Sequence, residues 1–135
     1  MIGTRLPAGP ILVFDQLPAG FPTKKVDQTY VQQYEAKYGI GSYSTFGGHA
    51  YDAWLILSAA LGRTLKTVQP TDLTAFRKTL RDEIEATKGV VGTHGIFTMS
   101  PTDHLGLKFS EAAVMVEVVK NSAGKLTWKL VRTFQ

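Results

Sequence analysis

Three histidines, a scatter of carboxylates and one loop rich in glycine and hydroxyl side chains are the residues of this chain that could do chemistry. His94 and His104 flank a hairpin-like stretch with Asp103 between them, so a mononuclear metal site is conceivable there. Metal ligation needs converging partners, and the sequence has neither an HExxH motif nor a tight His/Asp cluster. The simpler reading is a turn in which Asp103 accepts from backbone N–H groups and His104 packs locally. No metal and no cofactor is expected. Cysteine is absent, which removes disulfides, thiolate nucleophiles and Cys-bound zinc. No GxSxG elbow presents a serine nucleophile. Gly92-Thr93-His94-Gly95 is neither a GxGxxG turn nor a P-loop, and its glycines suit bends between two short strands. No catalytic residue is assigned, and the chain reads as a non-enzyme.

Ser42-Tyr43-Ser44-Thr45-Phe46-Gly47-Gly48 is the segment best suited to binding. It supplies an aromatic wall, small hydroxyls, and glycines that let backbone N–H groups approach a ligand where a helix begins. The competing reading is a connecting loop whose aromatics cover the core.

The elements that must position this loop follow from local patterning. Pro10 to Phe14 is a continuous apolar run bounded by Pro/Gly turns, as expected of a strand buried on both faces of a parallel sheet. Asp15 and Gln16 would then stand at its C-terminal end, where open α/β sheets present ligand-contacting residues. Pro22 to Tyr38 predicts an amphipathic helix with Val26, Tyr30, Tyr34 and Tyr38 on one stripe and Gly39 as its stop. Gly48 to Gly62 is apolar almost all round and predicts a helix with little solvent contact, closed by Gly62. Pro70-Thr71-Asp72 opens a third helix with Leu73, Phe76, Leu80 and Ile84 as its core stripe. Beyond Gly89 the pattern turns β-like: Val90–Val91, Ile96–Met99, then Ala113–Val119 and Leu126–Val131 joined as a hairpin by Asn121–Gly124.

The predicted class is α/β, with three helices and a C-terminal β-hairpin. With only one clear βα unit, it is expected to be one fragment, 1–135, of a larger fold. An apolar fraction of 44% fits a packed domain. The net charge of +4 comes from dispersed lysines and arginines, so no nucleic-acid partner is expected. The amino terminus shows no charged segment followed by an apolar one, so any export signal would lie upstream.

Several stretches taken in order carry a resemblance. They are Ile11 to Pro18, Tyr34 to Gly39, and His49-Ala50-Tyr51-Asp52-Ala53 opening an apolar helix. Gly89 to Phe97, Asp103-His104-Leu105-Gly106 and the closing strand pair follow. The succession resembles the C-terminal part of type I periplasmic binding proteins of the leucine/isoleucine/valine-binding kind. That resemblance implies a partial two-lobe fold with flavodoxin-like lobe elements and an extracytoplasmic, periplasmic location. It implies a small-molecule solute as ligand and an ABC permease in the membrane as partner. Phe46 is the residue carried over to the cleft wall, with Tyr43 and Gly47 beside it; Asp15 and Gln16 fall where the family crosses between lobes. A ligand-sensing regulatory domain on the same fold is the alternative. The N-terminal half of such a protein is missing, so Ile11 to Phe14 would lie at an uncovered sheet edge. A homodimer, or the missing half as a separate chain, is therefore expected to cover it.

Overall fold

A computed structural model describes residues 2–134. Strand β1 (Arg5–Ala8) leads into a 3-10 turn at Pro10–Val13, then helices α1 (Lys24–Tyr38), α2 (Thr45–Thr64) and α3 (Leu73–Glu85). Two short strands follow, β2 (Val90–Val91) and β3 (Ile96–Phe97). After a single helical turn, α4 (Phe109–Ala112), the chain closes with the hairpin β4 (Val114–Lys120) and β5 (Leu126–Thr133). The mixed α/β class stands. The sheet order is β1-β4-β5 with Leu6 opposite Val116 and Val116 opposite Leu130, and β2 pairs with β3. All of these pairings are antiparallel, so the expected parallel pairing is absent among the described residues.

The main correction concerns Pro10 to Phe14, which is a tight turn and not a strand. Pro10 occupies its first position, where a missing N–H costs nothing. The turn is buried because it wedges between two cores. Val13 joins Leu17, Phe21, Val114 and Val116 beneath the sheet, while Ile11 joins Tyr30 and Val31 under the helices. Ile11 and Val13 are both 0% exposed within one chain. Burying each contributes roughly 1.5–3 kcal/mol, and the uncovered edge that called for a second copy does not exist.

Helix α1 forms as its stripe predicts. Tyr30 is buried, Tyr34 half-buried, and Tyr38 has its ring centroid 4.6 Å from that of Tyr34 at the exposed end. Gly39 ends the helix at φ 96°, a conformation costly for other residues. Helix α2 starts three residues earlier than the apolar pattern suggests, because the Ser44 hydroxyl caps it by accepting from Gly47 N–H at 3.1 Å. It runs through Gly62 to Thr64. Its burial is one-sided: Asp52, Ile56 and Ala60 face inward, whereas Trp54 and Leu57 are exposed. Asp72 caps α3 through Ala75 N–H as expected. That helix buries no residue fully; Leu73 is exposed, and an Arg63–Glu83 ion pair at 2.5 Å ties it to α2. In the closing hairpin, Asn121 Oδ1 accepts from Ala123 and Lys125 N–H groups, and Gly124 takes φ 75°.

Candidate functional site

An open concavity of about 410 Å³ lies at the N-terminus of α2, lined by Leu12, Gly41, Tyr43, Ser44, Thr45, Phe46 and Trp128. Three stretches of chain build it. The 3-10 turn presents Leu12 outward because its neighbours Ile11 and Val13 are committed to the two cores. Gly41 enters with a positive φ of 78°, closing the bend after α1. Tyr43 stands edge-on to Phe14, ring centroids 5.6 Å apart at 87°. Strand β5 contributes Trp128.

Phe46 is 84% exposed, an unusual state for a large apolar side chain on the first turn of a helix. The first N–H groups of a helix lack intrahelical acceptors. Ser44 Oγ satisfies that of Gly47, and Ser44 O that of Gly48. Burial pushes the Tyr43 hydroxyl above its ordinary range, reinforced by the carboxylates of Asp15, Glu35 and Asp27. The phenol is therefore a hydrogen-bonding group at neutral pH and not a base. Apolar walls with a few hydroxyls and backbone groups at the rim suit recognition of a small organic molecule.

The five residues singled out in the sequence separate here. Tyr43 and Phe46 share the groove. Gly47 turns away from it: a Cβ at that position would lie 2.1 Å from the Tyr30 hydroxyl, so glycine admits the α1 tyrosine against α2. Gln16 acts on the groove indirectly. Its amide donates to Trp128 O at 3.0 Å and accepts from Leu130 N–H at 2.8 Å, clamping β5 where Trp128 enters the lining. Asp15 is exposed in the turn before it and reaches Tyr43 only through its charge. Leu12, Gly41 and Trp128 were missed. Alternation on β5 marks Trp128 as one face of a strand, but nothing local points it at a loop so far away in sequence.

A second groove of about 430 Å³ runs along α3, lined by Arg77, Leu80, Arg81, Ile84, Glu85, Met99 and His104. Its lining comes mostly from the surface of α3 and includes no hydroxyl side chain, whereas the α2 groove combines aromatic walls with Tyr43, Ser44 and Thr45 hydroxyls. His104 sits 3.4 Å from Glu85, and Asp103 accepts from Gly106 N–H at 2.9 Å. The turn reading of that segment therefore describes it, and His94 lies in a different cluster.

No family model and no curated protein matches the chain. Solved structures do. An extracellular ligand-binding receptor from Rhodopseudomonas palustris HaA2 superposes with a TM-score of 0.81 at 29% identity, covering 97% of this chain and 35% of the other. Another extracellular ligand-binding receptor from Rhodopseudomonas palustris gives 0.81 at 30% identity over 97% and 34%. A protein of Rhodopseudomonas palustris strain CGA009 gives 0.81 at 27% identity over 97% and 35%. The chain thus spans about a third of the length of the structures it matches. Its fold is that of a part of an extracellular ligand-binding receptor.

Proposed function

We propose that this chain forms one part of an extracytoplasmic solute-binding receptor and that the α2 groove is its share of the solute site. The observation that carries the reading is the exposed Phe46 at the N-terminus of α2, facing a groove also lined by Tyr43, Leu12 and Trp128, in a chain with the fold of one-third of such receptors. The solute is a small amino acid, an aromatic acid or an amide, held by aromatic contact and by hydroxyl and backbone groups at the rim. The whole receptor serves an ABC importer of the branched-chain amino acid type, docking on its membrane permease. Asp15 and Gln16 belong to the connection between lobes. No helix among the described residues is long and apolar enough to cross a membrane. If the chain pairs with a second copy, the outward face of α2 is the surface to cover, because Trp54, Leu57 and Leu65 are all exposed along it.

Tryptophan fluorescence tests the solute site directly. The chain has two tryptophans, so Trp54→Phe leaves Trp128 as the sole reporter beside the groove. Titration with leucine, benzoate and acetamide should give a saturable change for one class, and Phe46→Ala should abolish it. Native mass spectrometry of the purified chain should show the same class co-purifying. A flat response to all three, with no small molecule retained, would sink the reading.

A further inference from the structure

We infer that His49 and His94 form a binding site for a divalent transition-metal ion, with the Asp52 carboxylate holding His94 in its ligating tautomer. The inference does not rest on the solute-binding reading, since none of these residues lines the α2 groove. One donor atom from each of the three residues lies within 4.8 Å of the others.

His94 is built in as a ligand would be. It stands in the tight turn between β2 and β3 and is only 6% exposed. Asp52, about two turns into α2 and 2% exposed, accepts from Thr93 N–H at 2.5 Å, Thr93 Oγ1 at 3.1 Å and His94 N–H at 3.1 Å. It also lies 3.0 Å from His94 Nδ1. A carboxylate there accepts, so Nδ1 carries the proton and Nε2 is left with its lone pair. Nε2 takes no hydrogen bond among the described residues, and it is not one of the sealed orphan atoms, which are Asp27 Oδ1 and Thr87 Oγ1.

Three glycines clear space for this arrangement. A Cβ on Gly92 would lie 2.6 Å from Asp52 Oδ1. One on Gly48 would lie 3.0 Å from His94 Cε1, and one on Gly9 3.0 Å from His94 Cδ2. The ring is therefore held between the Gly9 and Gly48 segments, and Gly92 leaves room for the carboxylate behind it.

His49 covers it from outside. The two imidazoles stack with centroids 3.5 Å apart at 13°. Rings stacked face to face do not aim in-plane lone pairs at a common point between them, so capture of an ion requires His49 to turn about its own side-chain bonds while His94 stays fixed. His49 is exposed and has room to turn. Two imidazoles with water in the remaining positions suit zinc, cobalt, nickel or copper, and not magnesium or calcium. The competing account is a stack that only fills space.

NMR of the histidine rings separates the two. Long-range 1H–15N spectra of the whole chain are recorded during addition of zinc chloride, with cobalt chloride as the paramagnetic check. The expected result is saturable movement of His94 Nε2 and the His49 ring at one ion per chain, with His104 unmoved and magnesium without effect. Cobalt should broaden the same two residues. His49→Gln, an exposed change that leaves the fold intact, should weaken zinc binding about tenfold or more, whereas His104→Gln should leave it unchanged. Zinc should also raise the melting temperature of the wild-type chain but not of His49→Gln. Absence of saturable shifts up to millimolar zinc, equal binding by His49→Gln, or shifts centred on His104 would each overturn the inference.

Discussion

Asp52 and Asp27 are both buried carboxylates on adjacent helices, and the fold supports them in opposite ways. Asp52 faces a turn whose backbone and side chains converge on it, with two N–H groups, one hydroxyl and one imidazole. Asp27 is 0% exposed, yet among the described residues its side chain receives a single hydrogen bond, from Thr23 Oγ1 at 2.7 Å, and its Oδ1 has no partner. Burial alone does not decide what a carboxylate becomes; the number of donors aimed at it does. Asp52 works as a junction, because one side chain on α2 anchors the β2–β3 turn. Desolvation pushes the Asp27 pKa up from 3.8 to about 8; the Thr23 hydroxyl opposes this and the charge of Asp52 adds to it. At neutral pH Asp27 is thus a neutral acid packed in a core.

Removing the junction should have the largest effect. Asp52→Ala strips several buried donors of their acceptor at once. We expect a loss of about 4 kcal/mol in unfolding free energy, as for other broken buried networks, read from the urea midpoint. Asp52→Asn should cost less and leave any solute preference of the groove unchanged. A fully stable Asp52→Ala chain would erase the contrast between the two sites.

The next test uses pH. The folded Asp27 carboxyl keeps its proton to about pH 8, whereas an unfolded one loses it near 3.8. The folded state therefore binds the extra proton between those values, and stability falls as pH rises through that window. From pH 5 to pH 7 this contribution amounts to up to about 3 kcal/mol, at roughly 1.4 kcal/mol per unit. Asp27→Asn should remove the slope and be the more stable chain at pH 8. Urea unfolding of both chains across that range decides it, and parallel profiles would mean that Asp27 is solvated or paired.

Gly92→Ala attacks the Asp52 junction from its other side. The new methyl would stand 2.6 Å from Asp52 Oδ1 and 2.7 Å from the Phe97 ring, so the carboxylate must leave its donors or the β2–β3 turn must shift. We expect a loss of about 2 kcal/mol, typical of overpacking. Adding Gly92→Ala to Asp52→Ala should then cost little more, because residues that share contacts do not contribute additively.

The contrast also marks what the sequence reveals. Features written in local chemistry are legible: the Tyr30–Tyr34–Tyr38 stripe, the helix start at Asp72 and the Asn121–Gly124 turn. Pro10 to Phe14 is different. A short apolar run suits a strand or a tight turn equally well, and the choice is made by two cores pressing on it from either side. The groove divides along the same line. Tyr43 and Phe46 announce themselves in a glycine- and serine-rich loop, whereas Leu12 and Trp128 join them only through the tertiary fold. The stacking of His49 on His94 is equally invisible, because α2 and the β2–β3 turn are far apart along the chain.

The smallest effect comes from removing the one donor Asp27 has. Thr23→Val keeps the side-chain shape and deletes the hydroxyl that donates to Oδ2. Thr23 is itself 0% exposed, so no water replaces that donor without repacking. Below the folded pKa the carboxyl is neutral, and only a neutral hydrogen bond is lost, about 1 kcal/mol. Above it the bond to an ionised carboxylate is lost, which is worth about twice as much. The deficit of Thr23→Val should therefore widen as pH rises past about 8, and Asp27 should titrate later than in the wild-type chain. The carboxyl carbon of Asp27, followed by 13C NMR, reports that midpoint without reference to stability. A midpoint that stays put would show that the hydroxyl contributes nothing to holding the charge, leaving Asp27 with no electrostatic support from its helix start.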